Sequence, residues 1–85
     1  MQFILWYRFT PENTKKVLDL WKKFKYPKDV KVIHRYIVIG RHASVAIFDA
    51  PNEEAILKIT GPFSPYGVAK VAPIMPLEKA IEVEF

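Results

Sequence analysis

Along Phe3-Ile4-Leu5-Trp6-Tyr7-Arg8-Phe9 the chain is apolar at nearly every position, so both alternating sets are hydrophobic: Phe3, Leu5, Tyr7 and Phe9 on one side, Ile4 and Trp6 with Arg8 on the other. Aromatic and branched residues suit a pleated surface, and Pro11 follows too soon for this run to be a helix. The segment is predicted as a first strand. A half-solvated edge strand would alternate apolar with polar residues, and this one does not.

Thr10-Pro11-Glu12 then offers a helix start: a hydroxyl for free amides, a proline whose fixed φ suits the first turn, and an acid favoured by the helix dipole. The helix is expected from Pro11 to Phe24 or Lys25, with Val17, Leu18, Trp21 and Phe24 forming the stripe that docks on the sheet. Pro27 ends it. Val30 to Ile39 is strongly β-branched and reads as a second strand, and Gly40-Arg41-His42 connects it to a third at Ala43 to Asp49. Pro51-Asn52-Glu53-Glu54 opens a second helix bearing Ala55, Ile56 and Ile59, which stops at Gly61-Pro62. Phe63 to Gly67 is expected as loop and Val68 to Ile74 as a fourth strand. Beyond Pro76, Leu77 to Ile81 is predicted as one or two helical turns, with a short strand over Ile81 to Phe85 as the alternative.

The order β-α-β-β-α-β is the split βαβ pattern of ferredoxin-like folds, an α+β architecture in which both helices cover one face of a four-stranded antiparallel sheet. The other face is left bare. It must carry either Phe3, Leu5 and Tyr7 or Ile4 and Trp6 from the first strand, and either Ile33, Ile37 and Ile39 or Val32, Tyr36 and Val38 from the second. Such an apolar surface favours pairing with a second copy, so a homodimer closed sheet to sheet is expected.

Composition strengthens that expectation. The 85 residues are 51% hydrophobic and 14% aromatic, whereas a domain this small buries only roughly 60 to 65% of its unfolded surface. The whole of 1–85 is read as one domain, since no linker, repeat or low-complexity segment interrupts it. With no cysteine, disulfides, thiolate metal sites and cysteine nucleophiles are excluded. The longest apolar runs fall far short of the about 20 residues that span a bilayer, and the N-terminus has no basic n-region of a signal peptide. The expectation is a cytoplasmic protein with no membrane partner.

The net charge of +4 is unevenly spread: residues 1–41 hold ten Lys/Arg against three acids, residues 42–85 three against six. Lys15, Lys16, Lys22, Lys23 and Lys25 interleave with apolar residues at helical spacing, which is the ordinary exterior of an amphipathic helix. The same face could also attract an anionic polymer. A sheet that stacks RNA bases needs aromatics on strand 3, where this chain has Ala43 and Val45, so nucleic acid is not the expected partner.

At Arg8-Phe9-Thr10-Pro11-Glu12-Asn13, at Val30-Lys31-Val32-Ile33 with Arg35-Tyr36 and Gly40, at Val45 to Pro51, and along the tail Val71 to Glu78, the chain resembles a family of small uncharacterised proteins. That family belongs to the dimeric α+β barrel superfamily, near the GYD-type domains. The resemblance implies a ferredoxin-like protomer and a sheet-to-sheet dimer, and it brings no established activity. Members often carry Gly-Arg-Trp/Tyr-His on the second strand, where this chain has His34-Arg35-Tyr36-Ile37. Arg35 and Tyr36 match the pattern, and the histidine does not.

The candidate chemistry gathers in the same region. His34, Arg35 and Tyr36, with Arg41 and His42 at the hairpin and Trp6 and Arg8 on the neighbouring strand, are the predicted ligand-binding residues for a small anionic or aromatic molecule, held between the sheet and the partner copy. Singly, each also has an ordinary role as core or solvated strand-end residue. An enzyme with His34 or His42 as general base is the alternative. Two histidines without a spaced acid make no metal site, three scattered glycines make no phosphate loop, and no cofactor is called for.

Overall fold

A computed structural model describes residues 1–83. Strand β1 (Gln2–Phe9) leads through a 3-10 turn (Pro11–Asn13) into helix α1 (Thr14–Lys23). Strands β2 (Lys31–Ile37) and β3 (Ala43–Asp49) form a hairpin, followed by α2 (Glu53–Thr60), a second 3-10 segment (Gly61–Tyr66), β4 (Gly67–Ile74) and α3 (Leu77–Glu82). The four strands make one antiparallel sheet in the order β2-β3-β1-β4. This is the ferredoxin-like arrangement that the element order predicts.

Local chemistry accounts for the element ends, in one case differently from expectation. Thr10 makes no side-chain cap on the amides that follow it; instead the Thr14 hydroxyl donates to the Pro11 carbonyl at 2.8 Å. The start of α2 is capped as its residue types suggest, Asn52 Oδ1 accepting from the Ala55 amide at 3.0 Å. At the β2–β3 connection Gly40 has φ of +85°, the left-handed conformation that glycine adopts without a Cβ penalty. Phe63 to Tyr66, expected as loop, winds as 3-10 helix beside two prolines.

Register assigns the faces. Phe3 pairs with Phe48, Leu5 with Ala46 and Tyr7 with Ser44, all under the helices; Ile4 with Ile47, Trp6 with Val45 and Arg8 with Ala43 lie on the bare face. The core lies between sheet and helices in contiguous clusters around Tyr7, Phe9, Val17 and Phe63, around Phe3 and Ala55, and around Ala46, Phe48 and Ile59. Leu20, not Leu18, joins Val17, Trp21 and Phe24 in that packing. The set 17, 20, 21, 24 is the i, i+3, i+4, i+7 stripe of a helix, and Leu18 falls to its exposed flank.

A bulge in β2 corrects the expected faces further. Val32 pairs with Phe48 but His34 pairs with Ile47, so Ile33 is an extra residue. Alternation breaks there, and neither of the two predicted sets from strand 2 stays together. Val32, Arg35 and Ile37 share the helix-covered face, while His34 and Tyr36 turn to the bare one, their rings stacked 5.8 Å apart.

The body is elongated. Its radius of gyration is 14.1 Å, against about 12 Å for a compact chain of this length. Its accessible surface is 6584 Å², roughly 1,400 Å² above the about 5,200 Å² typical of a 9.9 kDa monomer. Exposed large apolar residues gather at two places, Tyr36, Ile37 and Ile39 along β2 and its turn, and Met75, Leu77, Ile81 and Val83 in the arm after β4, with Met1, Leu57 and Val68 exposed elsewhere. No helix among the described residues is long and apolar enough to cross a membrane.

Candidate functional site

Two concavities on the described residues hold all of the predicted ligand residues but His34. The larger in lining lies under the helices, between α1 and the β2–β3 side of the sheet, with a volume of about 380 Å³. Pockets for small molecules start at roughly 300 Å³. Its floor comes from Leu5, Tyr7, Ser44, Ala46 and Phe48, and its walls from Leu18, Trp21, Tyr26, Ile59 and Phe63.

Aromatic packing shapes this cleft. Phe63 meets Tyr7 edge-on at 5.5 Å and lies tilted against Phe24 at 5.4 Å, and Trp21 stands edge-on to Tyr7 at 6.4 Å. Tyr26 follows the helix and turns its ring onto Phe24 at 4.9 Å and Phe48 at 5.9 Å. Such rings give a ligand large flat contact at little entropy cost.

The polar groups are few. The buried Tyr7 hydroxyl donates to the Phe63 carbonyl at 2.7 Å, and burial, with the neighbouring Tyr66 adding to it, pushes its pKa above the ordinary value of 10.0. Tyr7 is therefore a neutral, committed donor that ties β1 to the segment after α2. Ser44 and Thr60 also border the space.

Two cations stand at the rim, Arg35 and Lys22, and no carboxylate is among the lining residues. Arg35 donates one hydrogen bond, to the Tyr26 hydroxyl at 3.2 Å, and its guanidinium carbon lies 5.7 Å from that ring's centroid. The guanidinium has five N–H donors, and the structure gives it no other side-chain bond among the described residues. The one ion pair there joins the Met1 ammonium to Asp49 at 3.1 Å. Arg35 is held in place by Tyr26 and left with unused donors beside an aromatic cleft.

Tyr36 borders this cleft through its strand segment, while its ring stacks on His34 along the bare face of the same strand. His34 lines neither concavity. Trp6, Arg8, Arg41 and His42 belong to a second hollow of about 420 Å³ at the other side of the sheet end, shared with Phe9, Thr10, Pro11 and Ala43. There the His42 ring meets Phe9 edge-on at 5.8 Å, and its Nδ1 lies 3.4 Å from Thr14 Oγ1. Thr14 donates its proton to Pro11, so its oxygen is open to accept from His42 Nδ1 in the tautomer that carries a proton there. Nearby Glu12 is exposed, and its carboxylate is held below its ordinary pKa by its own backbone amide, by the Thr10 hydroxyl and by the His42 charge.

The single cluster expected from the sequence is thus divided between two hollows, with His34 in neither. Ordinary alternation separates Arg35 from His34, and the bulge at Ile33 puts Arg35 rather than His34 on the helix-covered face of Val32, with Lys22, Trp21 and Tyr26 lining the same cleft, none of which was predicted as a site residue. The lysines of α1 are exposed as expected, Lys16 lying 5.9 Å from the Tyr66 ring centroid. A signal for Trp21 was present: a tryptophan on the core stripe beside a cationic residue, Lys22.

A family model described as a domain of unknown function, DUF3303, matches residues 1–84. No curated protein matches the chain.

Proposed function

The chain belongs to the DUF3303 family, whose description assigns no role, and we propose that it is a small homodimeric protein that binds an aromatic anion in the cleft between α1 and the β2–β3 side of the sheet. The observation that carries this reading is the lining: five aromatic rings, from Tyr7, Trp21, Tyr26, Phe48 and Phe63, with charge contributed only by Arg35 and Lys22. A ligand with a flat apolar body and one carboxylate, sulfonate or similar head satisfies both features. An uncharged ligand would leave the guanidinium unused, and a cation would be repelled.

The homodimer half rests on the bare sheet face, where Ile4, Trp6, Val45, Ile47 and Tyr36 lie together by register, and on the surface excess given above. Buried apolar area is worth about 25 cal/mol per Å², and stable interfaces bury roughly 800 Å² per partner. Sedimentation at micromolar concentration should give a dimer; a monomer would remove this half.

Binding is tested with 2-naphthoate and its neutral amide. In a Trp6→Phe variant Trp21 is the only indole, and its fluorescence should respond to the carboxylate and much less to the amide. Arg35→Met should weaken naphthoate by about ten- to a hundredfold, as losing a charge-assisted hydrogen bond costs about 1.5–3 kcal/mol, and should leave the amide unaffected. Equal affinity of the two ligands, or of wild type and Arg35→Met, would refute the assignment.

A further inference from the structure

The C-terminal arm leaves its large apolar side chains uncovered on its own protomer. Helix α3 is six residues long, far below the about 12–15 residues at which an isolated helix becomes marginally stable. It has no side-chain cap. Yet Leu77 is 69% and Ile81 73% exposed, with Met75 and Val83 exposed on either side. Such a short apolar helix needs a surface to hold it.

The matching surface is at the opposite edge of the sheet. Tyr36 and Ile37 of β2 and Ile39 of its turn are exposed, the outer edge of β2 pairs with no strand among the described residues, and Leu18 stands across the cleft mouth. β4 and β2 are the two outer strands, with β1 and β3 between them, so within one protomer the two patches lie about 14 Å apart across the sheet. In a face-to-face pair related by a two-fold axis along the strands, the order reverses. The β4 edge of one copy then lies over the β2 edge of the other.

Length and charge both fit. Three extended residues from Ile74 and six helical ones reach about 19 Å, close to the about 23 Å length of a seven-residue strand. Leu77 and Ile81 are four apart and share a helix face, as do Glu78 and Glu82. The receiving edge carries Tyr36 on the bare face and Ile37 and cationic Arg35 on the helix-covered face, with Lys22 across the cleft, so a helix lying along the edge meets both sets.

We propose that α3 of each copy packs on the β2 edge of the other at its cleft mouth, Leu77 and Ile81 on Tyr36 and Ile37, with Glu78 and Glu82 facing Arg35. The cleft is then completed by the second copy, and an aromatic anion competes with the arm's carboxylates for Arg35. This rests on the homodimer reading and specifies which segment crosses.

The natural absence of cysteine makes the test clean. A tagged Ile37→Cys chain and an untagged Ile81→Cys chain are mixed, allowed to exchange and oxidised. The expected product is a crossed disulfide between the two chains, outnumbering either self-linked pair, and Leu77→Asp with Ile81→Asp should weaken the dimer at least tenfold. A dimer by sedimentation without the crossed disulfide overturns the arm assignment and leaves the homodimer standing. A monomer overturns both. An Ile37→Cys, Ile81→Cys double variant that closes its disulfide within one chain overturns the exchange.

Discussion

Replacing Tyr7 by phenylalanine removes one atom from the most enclosed polar contact in the protein. The side chain is 2% exposed, and its hydroxyl donates to the Phe63 carbonyl at 2.7 Å. Phenylalanine keeps the ring and its packing on Phe9, Trp21 and Phe63. What is lost is one hydrogen bond, and a buried carbonyl is left with less than it had. Net hydrogen bonds contribute about 0.5–1.5 kcal/mol, and an orphaned buried partner costs about 1–3 kcal/mol, so Tyr7→Phe should destabilise by about 2 kcal/mol. For a domain of this size that lowers Tm by roughly 8–16 °C. Tyr26→Phe is the control: its hydroxyl accepts from Arg35 in an exposed setting, and about 0.5 kcal/mol or less is expected.

The same contact predicts a pH signature. Tyr7 has a folded pKa above its ordinary 10.0, raised by burial and then by Tyr66. The unfolded chain therefore loses this proton first. Its contribution to stability is complete below pH 10 and falls away as pH rises through the folded value. Thermal melts of wild type should lose stability above pH 10 more steeply than those of Tyr7→Phe. If both variants melt within a degree of wild type at neutral pH, or if the alkaline slopes coincide, Tyr7 is not the latch described here.

Other consequences follow from single contacts. Gly67→Ala should cost at least about 1–3 kcal/mol by overpacking, because a Cβ there would collide with the Arg8 carbonyl oxygen and sit 2.8 Å from the Tyr7 ring end; a melt unchanged by the substitution would contradict the close approach of β4 to β1. Asn52→Ala removes the cap on α2 and should cost about 1 kcal/mol, with Asn52→Asp near neutral, as read by urea unfolding. Glu12 has a folded pKa below its ordinary 4.5, first through its own backbone amide, then Thr10. Its contribution is present above pH 4.5 and is lost as pH falls through the folded value, so Glu12→Gln should flatten the acid limb of the stability profile.

Much of the architecture is legible in the sequence because its signals are local. Two-sided apolar strands, Pro11, Pro27 and Gly40 at the breaks, and the first-turn acids of α2 give the element order, and the order gives the sheet. Leu18 and Leu20 compete for one stripe, and only the docking angle of α1 decides between them. The bulge at Ile33 is set by how β2 meets β3, not by the residues of β2 alone, and it puts Arg35 rather than His34 on the face of Val32. A cluster built from sequence neighbours therefore mixes two sites. Arg35 was found, whereas Trp21, Lys22 and Tyr26 come to it from α1 and the segment after it; the core stripe marks Trp21, but no local pattern encodes its meeting with Arg35.

The two tryptophans offer the most direct test of the central claim, since Trp21 stands in the cleft wall and Trp6 on the bare face of the sheet. Each indole N–H gives a separate proton–nitrogen NMR signal, and the measurement is a titration of the wild-type protein with 2-naphthoate. A saturable shift of the Trp21 signal with Trp6 unmoved is the predicted result. A shift at Trp6 with Trp21 unmoved, or no saturable shift at either, would contradict a binding cleft beneath α1.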